Sequence, residues 1–399
     1  MGLNDTPSAD RVHIAFFGKR NSGKSSLVNA VTNQDMAVVS NVKGTTTDPV
    51  TKAMELLPLG PVVIIDTPGF DDDDKALGAL RVKRTKAVLN STDIAVLTAD
   101  AKNGLSDCDR ELIELFKEKS VPYIVAYNKC DLGKCPDASG DGIFVSAKNK
   151  ENIDVLKERI ARLLPDDDGR VHMVGDIIKP KDFVILVTPI DSAAPKGRMI
   201  LPQQQAIRDV LDSSATAIVV KETELSDTLL ALEKKPSLVV CDSQVFDIAN
   251  AKTPPDIKLT SFSILMAKKK GLLESAVRGV RAVENLRDGD TVLISEGCTH
   301  HRQCEDIGSV KIPRWLREYT GRDLNFEFSS GKGFPEDLSR YSLIIHCGGC
   351  MLSDRTVQFR MKTAEDEHIP ITNYGILIAY IKGILKRSIE VFPELSKEL

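Results

Sequence analysis

No apolar run in this sequence approaches the roughly 20 residues needed to span a bilayer as a helix. The opening Met1-Gly2-Leu3-Asn4-Asp5 lacks the basic and apolar regions of a secretory signal. Gly2 with Thr6 fits a myristoylation pattern only superficially. The expected setting is therefore the cytoplasm, with no membrane partner. Charge of one sign is also missing. Lys and Arg number 53 against 57 Asp and Glu, a net charge of −4, so no general basic field exists to hold nucleic acid. Hydrophobic residues supply 42% and charged residues 28%, an ordinary globular balance. A chain of 399 residues has room for two or three domains with proper cores.

Cysteine is sparse, eight residues in all. In a reducing compartment, clustered thiols favour metal binding over disulfides. Three stand apart: Cys298 in Cys298-Thr299-His300, and Cys347 and Cys350 in His346-Cys347-Gly348-Gly349-Cys350. Each group follows a predicted buried strand, Thr291–Ser295 or Ser342–Ile345. A helix around Val310–Tyr319 and a short strand Asn325–Phe328 lie between them, a pattern that predicts a parallel sheet with crossover helices. Loops at the carboxyl ends of such strands meet in one crevice, which gives Cys298 a route to Cys347 and Cys350.

Two metal chemistries fit that trio. Structural zinc would take Cys298 and His300 with Cys347 and Cys350. A [4Fe-4S] cluster would take the three thiolates and leave one iron for a weaker ligand. Candidates for that position are His300, His301, Cys304, Glu305 and His346. A carboxylate such as Glu305 binds soft iron weakly and would suit an exchangeable site. His346 reads equally well as a strand-end residue closing the loop. Cys108, Cys130 and Cys135 read as ordinary thiols, although Cys130 and Cys135 have a conceivable ligand spacing. Cys241, ending an apolar strand, reads as a buried hydrophobe.

The first 165 residues carry a complete nucleotide-binding set. Val12–Phe17 reads as a strand and runs into Gly18-Lys19-Arg20-Asn21-Ser22-Gly23-Lys24-Ser25, after which Ser26–Thr32 reads as a helix. Backbone N–H groups of such a loop cradle phosphates, Lys24 reaches the β/γ-phosphates, and the Ser25 hydroxyl ligates Mg²⁺. Val62–Ile65 is a strand ending in Asp66-Thr67-Pro68-Gly69. Asp66 would hold Mg²⁺ through water, and the Gly69 N–H would face the γ-phosphate. Further strands, Asp93–Thr98 and Tyr123–Tyr127, precede Asn128-Lys129-Cys130-Asp131. The Asp131 carboxylate can accept from guanine N1–H and N2, donors that adenine lacks, so the site selects GTP. Ile143–Val145 leads to Ser146-Ala147-Lys148, where a backbone N–H can meet guanine O6.

Gly44-Thr45-Thr46-Thr47-Asp48 stands where switch I belongs, and resembles the tRNA-modification branch of the translation-factor-like GTPases. The resemblance makes Thr46 a Mg²⁺ ligand, with Thr45 and Thr47 as alternatives. It also implies that Asn21 marks a K⁺ site, an added positive charge where transition-state charge develops. Lys24, Asn21 and Thr46 are the expected catalytic residues. Phe70 follows Gly69 where Ras-like enzymes carry a water-orienting glutamine, so intrinsic hydrolysis should be slow. The run Asp71–Asp74 reads as a solvated switch II.

Leu163–Gly169 forms an acidic, turn-rich boundary. Beyond it, Phe183–Thr188, Ala215–Lys221 and Leu238–Cys241 read as strands, with helices at Gln203–Ser213 and Glu224–Lys234. This small α/β unit has no catalytic constellation and suits a spacer or an oligomerisation domain. Leu272–Asn285 reads as an amphipathic helix. Lys268-Lys269-Lys270 with Arg278, Arg281 and Arg287 reads as a solvated basic face.

Cys298-Thr299-His300, a 45-residue interval, then His346-Cys347-Gly348-Gly349-Cys350 resembles the signature of the [FeFe]-hydrogenase maturation GTPases. The GTPase set and three-part layout fit the same family. The resemblance implies an all-α/β chain: a P-loop GTPase domain at 8–165, a dimerisation domain at 177–265 and a [4Fe-4S] domain at 266–399. It implies a GTP-hydrolysing scaffold that forms a homodimer. That scaffold receives a di-iron precursor made with two radical-SAM maturases and delivers it to apo-[FeFe]-hydrogenase. A ribosome- or tRNA-associated GTPase with structural zinc is the competing reading, and it explains the GTPase motifs equally well.

Overall fold

The computed structural model describes residues 7–34, 49–69, 85–133, 142–164, 171–190, 199–297, 306–331 and 333–396. Its contacts divide the chain into two compact units, Met1–Gly169 and Arg170–Leu399.

The first unit holds a six-stranded sheet in the order β2-β3-β1-β4-β5-β6. The strands are β1 (Val12–Phe17), β2 (Val50–Leu56), β3 (Gly60–Asp66), β4 (Ile94–Asp100), β5 (Tyr123–Asn128) and β6 (Ile143–Phe144). All pair in parallel except β2, which runs antiparallel to β3 at the edge. Helices cover both faces of β1, which explains its continuous apolar stretch Ile14–Phe17. Ile14 and Phe16 pack with Leu27, Val28 and Leu156 on one face, while Ala15 and Phe17 pack with Leu112 and Phe116 on the other. The sequence reading has no counterpart of β2, whose exposed Thr51, Lys52 and Ala53 hide any apolar period.

The second unit contains two four-stranded parallel sheets. One is built from β7 (Phe183–Val187), β8 (Thr216–Val220), β9 (Leu238–Cys241) and β10 (Lys258–Ser261), in the order β10-β9-β7-β8. The other is built from β11 (Thr291–Glu296), β12 (Asn325–Ser330), β13 (Leu343–His346) and β14 (Ile371–Asn373), in the order β12-β11-β13-β14. Counted from its own first strand, each sheet has the order second, first, third, fourth. The same fold is therefore built twice in tandem.

Local chemistry repeats with the topology. Each first crossover helix, Leu201–Asp212 and Ile312–Thr320, carries a proline in its first turn, where the missing N–H costs nothing. Each fourth strand ends in a capping side chain, Ser261 accepting from Ile264 N and Asn373 from Ile376 N. The capped helices are Phe262–Lys269 and Tyr374–Ile381, and Leu259–Ala267 resembles Ile371–Ala379 residue for residue in type. The short helices that follow are exchanged: Leu273–Gly279 packs on β14 and Leu385–Ile389 packs on β10.

Two expectations are corrected here. The helix expected over Leu272–Asn285 is α-helical only from Leu273 to Gly279 and continues as a 3₁₀ turn to Asn285. Gly279 lies so close to the Ile371 backbone that a Cβ would clash with the carbonyl oxygen. Of the basic stretch, Arg278, Arg281 and Arg287 are exposed as expected, but the three lysines do not form a solvated face. Lys270 is 1% exposed and bonded to Asp354, Lys268 pairs with Asp176, and Lys269 donates to Gln205.

Candidate nucleotide and cysteine sites

β1 ends at Phe17 and the chain turns through Gly18–Gly23 into helix Lys24–Thr32. Gly23 has φ +83°, and a Cβ there would stand 2.3 Å from Asn128 Nδ2, so glycine is required. Asn128 joins two loops. Its Nδ2 donates to Ser22 O and Gly23 O, each at 3.2 Å, and its Oδ1 accepts from Ala147 N at 3.0 Å. Lys129 Nζ donates to Asn21 O at 2.6 Å and to Asp100 at 2.9 Å. Asp131 accepts from Ser146 Oγ at 2.7 Å. The structure thus gathers Gly18, Asn21, Ser22 and Gly23 beside Asn128, Lys129, Asp131, Ser146 and Ala147. Ser26 is half-buried in the first turn of the helix and Lys148 is exposed. Asp100 was not among the sequence candidates; its sole signal is its position at the end of β4.

Asp66 ends β3 at 1% exposure. Its Oδ2 accepts from Ser25 Oγ at 2.7 Å, and Lys24 Nζ lies 3.7 Å from Oδ1, which has no hydrogen-bond partner. Burial pushes this carboxyl above its ordinary value, against the pull of Lys24 and Ser25. A buried carboxylate with an open oxygen beside a hydroxyl suits a hard divalent cation, so Ser25 and Asp66 fit Mg²⁺. Gly69 lies against the phosphate loop, where a Cβ would come within 3.1 Å of Arg20 N. Thr46 with the rest of Gly44–Asp48, and Phe70 with Asp71–Asp74, lie outside the described residues. Cys135 does too. Cys130 is buried beside Tyr127 and Ala101, and Cys108 is half-buried in helix Asp107–Glu118.

The second candidate site lies where β11 and β13 adjoin. β11 continues outward to β12, and β13 outward to β14 on the other side. This is a topological switch point, where connections diverge and leave a crevice. Cys347 N donates to Ser295 O at 2.9 Å, which ties the two strand ends together. Cys347 Sγ accepts from Gly297 N at 3.0 Å and from Gly349 N at 3.3 Å. Gly349 has φ +66°, a left-handed backbone that glycine adopts without strain. Burial pushes the Cys347 thiol up, and these two N–H groups oppose it. Cys350 packs against the core cluster that includes Met266 and Val391. Cys241, in the other sheet, is fully buried with its thiol pushed well up by desolvation, as expected of an inert hydrophobe.

His346 is fully buried, with Nδ1 2.6 Å from Cys347 O and Nε2 3.1 Å from Arg360 Nη1. Arginine only donates, so Nε2 accepts and Nδ1 carries the proton. Burial and the adjacent Arg360 charge push the imidazole down to about 4. Both ring nitrogens face protein partners in this arrangement. Cys298, His300, His301, Cys304 and Glu305 lie outside the described residues, and among the described residues no three His, Cys, Asp or Glu converge on a metal position. Arg360 and Ser295 escaped the sequence reading, because each looks like an ordinary member of its helix or strand.

No helix among the described residues is long and apolar enough to cross a membrane. The fold and first site define a P-loop GTPase joined to a tandem pair of parallel α/β units. The hydrogen maturase F dimerization domain matches residues 173–271, its tetramerization domain matches 274–391, and a 50S ribosome-binding GTPase domain matches 13–129. The chain belongs to the hydrogen maturase F family. It carries the family's two oligomerisation domains beside a GTPase domain.

Among curated relatives, the tRNA modification GTPase MnmE of Lactococcus lactis subsp. lactis is 37% identical over 175 residues, covering 43% of this chain and 36% of the relative. MnmE of Streptococcus sanguinis is 34% identical over 179 residues, covering 44% and 38%. The chain thus spans little more than a third of these relatives' length. Among solved structures, Aquifex aeolicus Era bound to GDP and AlF4⁻ is 20% identical with a TM-score of 0.35, covering 60% of this chain and 97% of that one. The G domain of the T. maritima FeoB iron transporter is 22% identical with a TM-score of 0.30, covering 38% and 98%.

Proposed function

We propose that the protein is a cytoplasmic GTP-hydrolysing scaffold that holds a [4Fe-4S] cluster on Cys298, Cys347 and Cys350. In this reading it carries a di-iron precursor, its cargo, from two radical-SAM maturases to apo-[FeFe]-hydrogenase. The observation that carries the reading is Cys347 Sγ, which accepts two backbone N–H groups at the switch point. Such donors stabilise a thiolate and tune a cluster bound to it. Gly297, which supplies one of them, immediately precedes Cys298 in sequence. When bound, the cluster supplies an iron with an open or weakly held position. The protein's own residues fix the thiolates and exclude competing ligands.

GTP with Mg²⁺ occupies the first unit in this reading, on Lys24, Ser25, Thr46 and Asp66, with K⁺ beside Asn21. The protein acts as a homodimer. The tRNA-associated alternative draws on the MnmE likeness, whose 175 residues leave most of the chain unaccounted for.

The test is anaerobic reconstitution of the full chain. It should take up about four iron and four sulfide, the content of a cubane. Cys347→Ala should lose that uptake and hydrogenase activation together. Activation retained in this variant, or stoichiometric zinc in place of iron, would overturn the reading. The same preparation should hydrolyse GTP faster in K⁺ than in Na⁺; equal rates would remove the K⁺ site alone.

A further inference from the structure

Arg360 lies on the crossover helix Asp354–Asp366 and is 2% exposed. Its guanidinium reaches three adjacent strand ends. Nη1 donates to Ser295 Oγ on β11 and to His346 Nε2 on β13, each at 3.1 Å, and Nη2 donates to the carbonyl of Gly331, just past β12. The ring of Phe334 lies 5.1 Å from Cζ. Among the described residues, no Asp or Glu lies within ion-pair distance of this cation. A buried cation without an anion is strongly unfavourable, so the site is built for negative charge that the protein side chains shown here do not provide.

The tandem fold supplies an internal control. In the cysteine-bearing sheet, Ser329, Ser295, His346 and Asn373 form one row across the strands. In the other sheet the equivalent row is Val220, Val187, Cys241 and Ser261. That sheet closes the same topology with apolar residues where the first has Ser329, Ser295 and His346. The fold therefore does not require the Arg360–His346–Ser295 network, and the network belongs to what the cysteine-bearing crevice does.

We infer that Arg360 is a positioning residue of the cluster pocket: its bond to Nε2 keeps His346 off the iron, and its charge is the fixed counterion of the Cys347 thiolate. The inference rests on the cluster reading above. Three thiolates outweigh the charge of a dicationic cluster core, which gives the buried guanidinium the anion it lacks. With Nε2 occupied and Nδ1–H committed to the Cys347 carbonyl, the fourth iron position stays open to an exchangeable ligand. Removing the positive charge would stabilise the oxidised cluster relative to the reduced one and lower its midpoint potential.

The test uses the full chain reconstituted anaerobically with ferrous iron and sulfide, as wild type, Arg360→Lys, Arg360→Met and His346→Gln. Iron and sulfide content, the midpoint potential followed by EPR, and nitrogen couplings by pulsed EPR are read on each. Wild type should show no coupling from a coordinated imidazole, and His346→Gln should keep its iron. Arg360→Met should shift the reduction equilibrium at least tenfold toward the oxidised form, about 59 mV for one electron. Arg360→Lys should recover part of that shift. An unchanged potential in a cluster-containing Arg360→Met overturns the inference. So does a wild-type imidazole coupling that His346→Gln removes, a result that does not depend on Arg360 variants folding. Wild type that takes up no iron overturns the cluster reading itself.

Discussion

Lys270 Nζ lies 2.6 Å from Asp354 Oδ1 and donates to Leu352 O at 2.8 Å. The same bond is made a second time with the copies exchanged: Lys382 Nζ lies 2.9 Å from Asp247 Oδ2. Both lysines end the helix after the fourth strand of one copy, and both aspartates sit in the first turn of the other copy's third crossover helix. The two bonds differ in burial, with the lysine side chains 1% and 34% exposed.

Equal chemistry at unequal burial predicts unequal cost. Lys270→Ala leaves the buried Leu352 carbonyl and the half-exposed Asp354 carboxylate without their donor, a loss of about 1–3 kcal/mol, chiefly from the carbonyl. Lys382→Ala removes a wetter pair worth about 0–1 kcal/mol. Urea unfolding of the two variants checks this. Lys270→Ala should also reduce iron uptake, because Leu352 follows Cys350 by two residues. Equal destabilisation by both variants would refute the distinction.

The parts of the fold legible in the sequence are those written in short-range pattern. The phosphate loop and the apolar runs of β1, β4, β5, β9, β11 and β13 needed only periodicity and glycine placement. The tandem repeat was not legible. Its signal is a likeness between Leu259–Ala267 and Ile371–Ala379, distant segments that a reading for local elements never sets side by side. The helix Asp354–Asp366 hid Arg360 for a related reason. An arginine on a polar helix reads as solvated, and only the sheet packed against it reveals the buried acceptors. Lys270 misleads in the same way, as the last of three lysines whose partners lie elsewhere in the chain.

Asp209 gives a pH dependence with a defined sign. Burial pushes its carboxyl up, but the His172 ring at 2.9 Å and the N–H groups of Val174 and Gly175, at 2.6 and 2.9 Å, outweigh that and hold it below the ordinary value of 3.8. The unfolded chain therefore binds this proton first as pH falls. The stabilisation is fully present above 3.8 and is lost as pH falls through the lower folded value. Asp209→Asn should destabilise the chain at neutral pH by about 1–3 kcal/mol. The gap to wild type should close below pH 3.8, as read by unfolding across pH. A gap independent of pH would show that the carboxylate charge contributes nothing.

We propose that Asp131 decides which base the first unit accepts, and its surroundings make that choice testable. Ser146 Oγ donates to Oδ1 at 2.7 Å, while Asn128 Oδ1 holds Ala147 N at 3.0 Å, so both base-reading segments are fixed to one another. Guanine presents two adjacent donors, N1–H and the N2 amine, and a carboxylate meets both. Asp131→Asn keeps the shape but replaces one acceptor with a donor, which then opposes the N2 amine. The unmatched pair should weaken GTP binding by about 1–3 kcal/mol, roughly 5- to 150-fold. Xanthosine triphosphate offers a carbonyl where guanine has the amine, so the same variant should bind it better than wild type does. Ser146→Ala removes only the bond that orients the carboxylate and should cost less, without changing base preference. Calorimetry with both nucleotides separates the cases. A variant weakened equally toward both bases would mean that Asp131 holds the loop together and does not read the base.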